Sequence, residues 1–119
     1  MTSTSMIDPK FIRIADDMIK KIKIVCPRFS VPASPGDRKI LVGSWARALS
    51  STSYPSFVYD MAVDSFFQEA SRDDNPPMPG DVLRHCLKVI SRIERDPVLG
   101  PQLEEWRERR LLEREQRFK

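Results

Sequence analysis

From Pro9 onward, the apolar positions of the chain return every three to four residues. Phe11, Ile12, Ile14, Ala15, Met18, Ile19, Ile22 and Val25 fall on one broad face of a helix, the pattern of an amphipathic segment packed on a core. Asp8 is placed to cap that helix, and Pro9 sits in the first turn, where a missing amide hydrogen costs nothing. Pro27 ends it, because the residue before a proline is pushed out of helical geometry. Residues 26 to 36 hold three prolines and a glycine and read as a loop, with Phe29 and Val31 expected to lie across the core.

Ser34 and Pro35 open a second helix, with Asp37 in its first turn and Ile40, Leu41, Trp45, Ala48 and Leu49 as its apolar positions. Ser53, Tyr54 and Pro55 supply a cap and a first-turn proline for a third, whose stripe is Phe57, Val58, Met61, Ala62, Phe66, Phe67 and Ala70. After the polar link 72 to 75, Pro76-Pro77-Met78-Pro79-Gly80 must be extended until a fourth helix begins, marked by Val82, Leu83, Cys86, Leu87, Val89, Ile90 and Ile93. Trp45 is expected in the core against Phe29, Phe57 and Phe66.

The last segment differs in kind. From Gln102 to about Arg117 it is dense in Glu and Arg, and only Leu103, Trp106, Leu111, Leu112 and Phe118 are apolar, too thin a stripe for a core helix. Glu105 with Arg109 and Glu113 with Arg117 have the spacing of helix-surface ion pairs. With no strand alternation and no repeat, the fold class predicted is all-α: a compact four-helix domain with a charged C-terminal helical arm. The leader is residues 1 to 8, the domain 9 to 96 and the arm 97 to 119. Removing residues 101 to 119 is expected to leave the body folded.

Composition changes this picture little. In 119 residues, 40% hydrophobic and 31% charged side chains are ordinary for a globular chain, and a chain this long buries about two thirds of the surface its unfolded form exposes. No apolar run approaches the roughly 20 residues needed to cross a bilayer. The amino terminus lacks the basic and apolar blocks of a secretory signal, so the expected location is the cytoplasm. There, Cys26 and Cys86 read as buried apolar fillers.

Catalytic and metal chemistry find few residues to use. His85 is the single histidine, read as a residue at the solvent edge, and its neighbour Cys86 points about 100° away on a helix, so no nucleophile pair and no zinc ligand set assembles. The four glycines are scattered and build no phosphate loop, and Asp73 and Asp74 read as solvated loop carboxylates. The expectation is a protein that is not an enzyme, needs no cofactor and no metal, and acts by binding a macromolecule. Nucleic acid is a weaker expectation: 20 basic residues face 17 acidic ones, and the arm interleaves its arginines with glutamates that repel phosphates. Lys20, Lys21 and Lys23 read as a solvated face. Trp106 either folds back on the body or anchors a partner, since tryptophan and arginine are enriched at binding hot spots.

Three widely spaced features together carry a resemblance: Cys26-Pro27-Arg28-Phe29 after the first helix, Trp45-Ala46-Arg47-Ala48-Leu49 in the second, and Pro76-Pro77-Met78-Pro79-Gly80-Asp81-Val82 before the fourth. Over roughly residues 11 to 95 the chain resembles the phage-encoded loaders and inhibitors of the replicative helicase. Cys26 stands where that family has an aromatic residue. The resemblance implies a partner, the hexameric replicative helicase, held inactive and handed to an origin-binding protein or to single-stranded DNA in the host cytoplasm. It further implies that the carboxy-terminal segment supplies helicase contacts, which assigns partner binding to Trp106, Arg107, Arg110, Leu111 and Arg114. Two other classes stay open on the sequence: a small helical virion protein of the head-completion or connector kind, and a small DNA-binding regulator.

Overall fold

The structure is a computed structural model that describes residues 7 to 70 and 75 to 117; Asp73, Asp74 and Phe118 lie outside the described residues. Among the described residues there are five helices and no strand: α1 Pro9–Val25, α2 Pro35–Ser50, α3 Ser56–Glu69, α4 Pro79–Ile93 and α5 Leu99–Arg117. α1 packs along α2 and α3 along α4, the two pairs are joined by α1 against α3 and α2 against α4, and α5 meets α4 at its start.

Local chemistry explains the boundaries. Asp8 caps α1 by accepting the amide hydrogen of Lys10 at 3.0 Å. The chain leaves α1 at Cys26, and the Lys23 ammonium then donates to the carbonyl oxygens of Pro27 at 2.8 Å and Phe29 at 2.9 Å, tying down the proline-rich loop. This pins Phe29 edge-on against Trp45, with ring centroids 6.1 Å apart and planes at 82°. Trp45 is only 3% exposed, and its indole fills the centre of the core.

The turn between α2 and α3 is organised differently from the sequence expectation. α3 begins at Ser56 after Pro55, and no side chain caps it. Instead the Tyr59 hydroxyl reaches back, accepting the amide hydrogen of Tyr54 at 2.8 Å and lying 3.1 Å from the carbonyl oxygen of Leu49 and 2.9 Å from the Thr52 hydroxyl. Ser53 within this turn has a left-handed backbone, φ 52°.

Several faces are rotated from the expected ones. On α2 the buried face is Val42, Trp45, Ala46 and Leu49, at spacings of three, four and seven residues, and it leaves Ile40 on the opposite side at 69% exposed. On α3 Tyr59 and Val63 are buried beside Val58 and Ala62, while Phe66 turns away from Trp45 to meet Phe67 and His85. On α4 Leu87 is 64% exposed and His85 takes the core-facing position instead. In α1, Ile12 and Val25 are exposed; Cys26 is only partly covered, and Cys86 is fully buried.

α5 is not a free arm. The Asp96 carboxylate accepts the amide hydrogens of Val98 at 2.8 Å and Leu99 at 2.9 Å, so the helix starts at Leu99, three residues before the expected Gln102. A side chain at Gly100 would place its Cβ 3.2 Å from the Ile93 carbonyl oxygen, a tight contact, so this close approach of α5 to the end of α4 favours glycine. One turn later Leu103 enters the core at 1% exposed. The core thus includes a residue of the segment expected to be separable from it.

Candidate partner-binding surface

The face of α5 that contains Leu103, Trp106, Arg107, Arg110 and Arg114 is used in two ways along its length. At its base Trp106 is partly buried and its ring lies 5.7 Å from that of Tyr54, at 50°. Arg107 donates to Glu94 of the α4 end at 2.6 Å and to Glu104 at 3.1 Å. The Glu94 contact chiefly holds the guanidinium above its ordinary pKa. Of the two roles open to Trp106, the structure shows the docked one. Arg110 stands over the Trp106 ring, 5.9 Å from its centroid.

Beyond that point no residue of the helix packs on the core. Every residue from Glu108 to Gln116 is exposed, including Leu111 and Leu112, each at 57%. The five residues assigned to partner binding therefore divide: Trp106 and Arg107 fasten the helix, Arg110 straddles the edge, and Leu111 and Arg114 are open to solvent. The expected ion pair of Glu105 with Arg109 does not form; the pairs made on this helix are Arg107 with Glu94 and Glu104. The pair Glu113 with Arg117 lies outside the described side chains.

Docking of α5 creates a groove that the sequence reading did not foresee. Between α1, the start of α3 and α5 lies a cleft of about 410 Å³ bordered by Lys10, Arg13, Tyr54, Trp106 and Arg109. It shares Ile14, Asp17 and Ser56 with a second cleft of about 350 Å³ between α1 and α3, floored by Met18, Phe57 and Val63. The signal missed was spatial: Lys10 and Arg13 lie almost a hundred residues from Arg109, and only the docking of Trp106 brings them together.

The lysine run behaves as a structural face. Lys20 pairs with Asp16 at 3.1 Å, Lys23 is held by loop carbonyls, and Lys21 bridges Asp60 at 2.8 Å and Asp64 at 2.7 Å. Burial works to lower the Lys21 pKa, and the two aspartates outweigh it and raise it.

His85 is buried rather than at the solvent edge. Its Nδ1 is 3.0 Å from the Ser65 hydroxyl and 3.2 Å from a Glu69 carboxylate oxygen, and Lys88 holds that carboxylate from its other side at 3.0 Å. Burial first, and then the nearby Lys88 charge, push its pKa below the ordinary value. Both partners meet the same ring nitrogen, so the arrangement fixes the imidazole and does not form a relay from one nitrogen to the other. Cys86, next along, is an inert thiol whose pKa burial pushes up to about 12. Among the described residues no group of three or more His, Cys, Asp or Glu side chains could hold a metal ion, and no helix is long and apolar enough to cross a membrane.

Comparison with protein-family models, with characterised proteins and with solved structures gives no match.

Proposed function

We propose that the protein is a non-catalytic helical adaptor that binds a hexameric replicative helicase through the distal half of α5, in the manner of a phage helicase loader or inhibitor. The observation that carries the adaptor reading is the division of α5. Its base is fixed by Leu103, Trp106 and Arg107, and its tip presents two exposed leucines among arginines and glutamates. An exposed apolar pair on a projecting helix suits the helix-in-groove mode of recognition, with apolar anchors and a charged rim. The choice of a helicase as partner rests on the motifs around Phe29, Trp45 and Pro76 to Val82.

The exposed tip from Glu108 to Gln116 is nine residues, or about 14 Å of helix, a short docking segment. A small contact made by an already formed helix gives a reversible complex, as a loader that must leave requires. Lys10, Arg13, Arg109 and Arg110 form no ion pair among the described residues, and their charges speed encounter with an acidic partner and make the complex salt-sensitive.

The test is a pull-down of the replicative helicase with the full chain, with a chain ending at Arg110, and with Leu111→Asp/Leu112→Asp, alongside an unwinding assay. The full chain is expected to retain the helicase and depress unwinding, and both variants to lose this while keeping the helical signal of the body. No retention by the full chain, together with ring formation or tight DNA binding, would replace this reading by the virion or the regulator reading respectively.

A further inference from the structure

We infer that the groove between α1, the start of α3 and α5 is a second docking site, and that its occupant is a peptide segment of a partner protein carrying apolar side chains next to a cluster of carboxylates.

The argument rests on how charge is distributed along the groove. At the α5 end, four cations from two helices converge: Lys10 and Arg13 on one wall, Arg109 and Arg110 on the other. Among the described residues none of the four is paired with a carboxylate, and the two acidic side chains that line the same clefts, Asp17 and Glu113, leave the cluster with two cations in excess. The middle of the groove is apolar, with Ile14, Pro55 and Phe57 between the helices. The far end is closed by Lys21, whose charge is already taken by Asp60 and Asp64, and Asp17 lies along the same wall.

The groove is therefore positive at one end, apolar in the middle and neutral to negative at the other. Single-stranded nucleic acid carries a phosphate at every step and would meet Asp17, Asp60 and Asp64 as it ran on, whereas a peptide can confine its carboxylates to one end. Trp106, the ring that base stacking would use, is already in contact with Tyr54 and Arg110. The two adjoining clefts fall within the size range of ligand pockets, room for a few apolar side chains. Charge complementarity at one end sets the direction in which the segment lies, and the apolar floor supplies the affinity.

The site is separate from the exposed leucines of α5, so this inference does not depend on the helicase reading. The probe is a phage-displayed library of random dodecapeptides, panned on the immobilised full chain, with the enriched sequence then made as a labelled synthetic peptide and followed by fluorescence anisotropy. Enriched peptides are expected to place aspartates or glutamates beside leucine or phenylalanine. Arg13→Glu/Arg109→Glu should weaken the peptide at least about tenfold with no loss of helical signal, because two charge contacts turn repulsive. Leu111→Ala/Leu112→Ala should leave its affinity unchanged. Failure to enrich any sequence, enrichment without acidic residues, or equal affinity for the charge-reversed variant would overturn the proposal. So would an oligothymidylate that binds the groove more tightly than the peptide, since that would assign the surface to nucleic acid.

Discussion

Trp106 lays its ring against Tyr54, with centroids 5.7 Å apart, and so fixes a helix from the end of the chain to the turn between α2 and α3. Tyr54 in turn is held through its backbone amide, which donates to the Tyr59 hydroxyl at the head of α3. Because Trp106 is only partly buried, Trp106→Ala is expected to cost about 1 to 2 kcal/mol, against about 3 to 5 for Trp45→Ala in the core centre. Urea denaturation of the two variants checks the order, and equal losses would contradict the partial burial of Trp106.

Tyr59→Phe isolates a single atom. The ring stays in the core, but the Tyr54 amide loses its acceptor, while the Leu49 carbonyl keeps the Thr52 hydroxyl at 2.9 Å and the backbone amides of Thr52 at 3.1 Å and Ser53 at 3.4 Å. Leaving a partly buried donor unpaired costs on the order of 1 to 3 kcal/mol. Faster hydrogen exchange at Tyr54 should accompany the loss, since the turn itself is what the hydroxyl closes.

The helices and their ends were legible in the sequence because prolines and polar caps punctuate it: Pro9, Pro27, Pro35 and Pro79 each fall where periodicity starts or stops. The buried faces were less so. α3 carries large apolar or aromatic residues on nearly every side, so periodicity could not choose between a face through Phe66 and one through Tyr59 and Val63. Packing chose the latter, since Tyr59 alone has a hydroxyl that can serve the adjoining turn. His85 was misplaced because its partner, Ser65, is twenty residues away and gives no periodic signal. At α5 the stripe was correctly read as thin, yet thin stripes can still dock over one turn, and Leu103 with Trp106 is enough to do so. The cationic groove depends entirely on that docking and had no linear signature.

His85 predicts a pH dependence whose sign follows from burial. Its folded-state pKa is depressed below the ordinary value of about 6.5, by burial and by Lys88 and Arg84, against the smaller opposing pull of Glu69 and Asp81. As the pH falls, the unfolded chain takes up the proton before the folded one, so this contribution is full above about 6.5 and declines below it. The lowered carboxylates Asp16 and Glu69 act in the same direction only at more acidic pH, where they begin to protonate. Stability measured from about pH 8 to pH 5 should therefore fall toward the acid end. His85→Gln, which keeps a hydrogen-bonding side chain without the titration, should flatten the curve across that window. A slope unchanged by this substitution would remove His85 as its source.

The two ends of α5 should answer to mutation in opposite ways. Leu103 is fully enclosed, so Leu103→Ala opens a cavity among α4 and α5 residues and is expected to cost about 2 to 5 kcal/mol. Leu111 and Leu112 touch nothing in the core cluster, so replacing both by alanine removes no packing, and alanine is itself a good helix former. The double variant should stay within about 0.5 kcal/mol of the parent. For the same reason a chain cut after Arg110 should keep the stability of the parent, while one cut at Gly100 loses Leu103 and Trp106 together and should unfold at markedly lower urea. Denaturation curves of these chains locate where the folded body ends, and the leucines that prove indifferent to folding are the ones left for a partner. If Leu111→Ala/Leu112→Ala destabilised the chain as much as Leu103→Ala, the distal helix would be part of the core and could not serve as the exposed anchor.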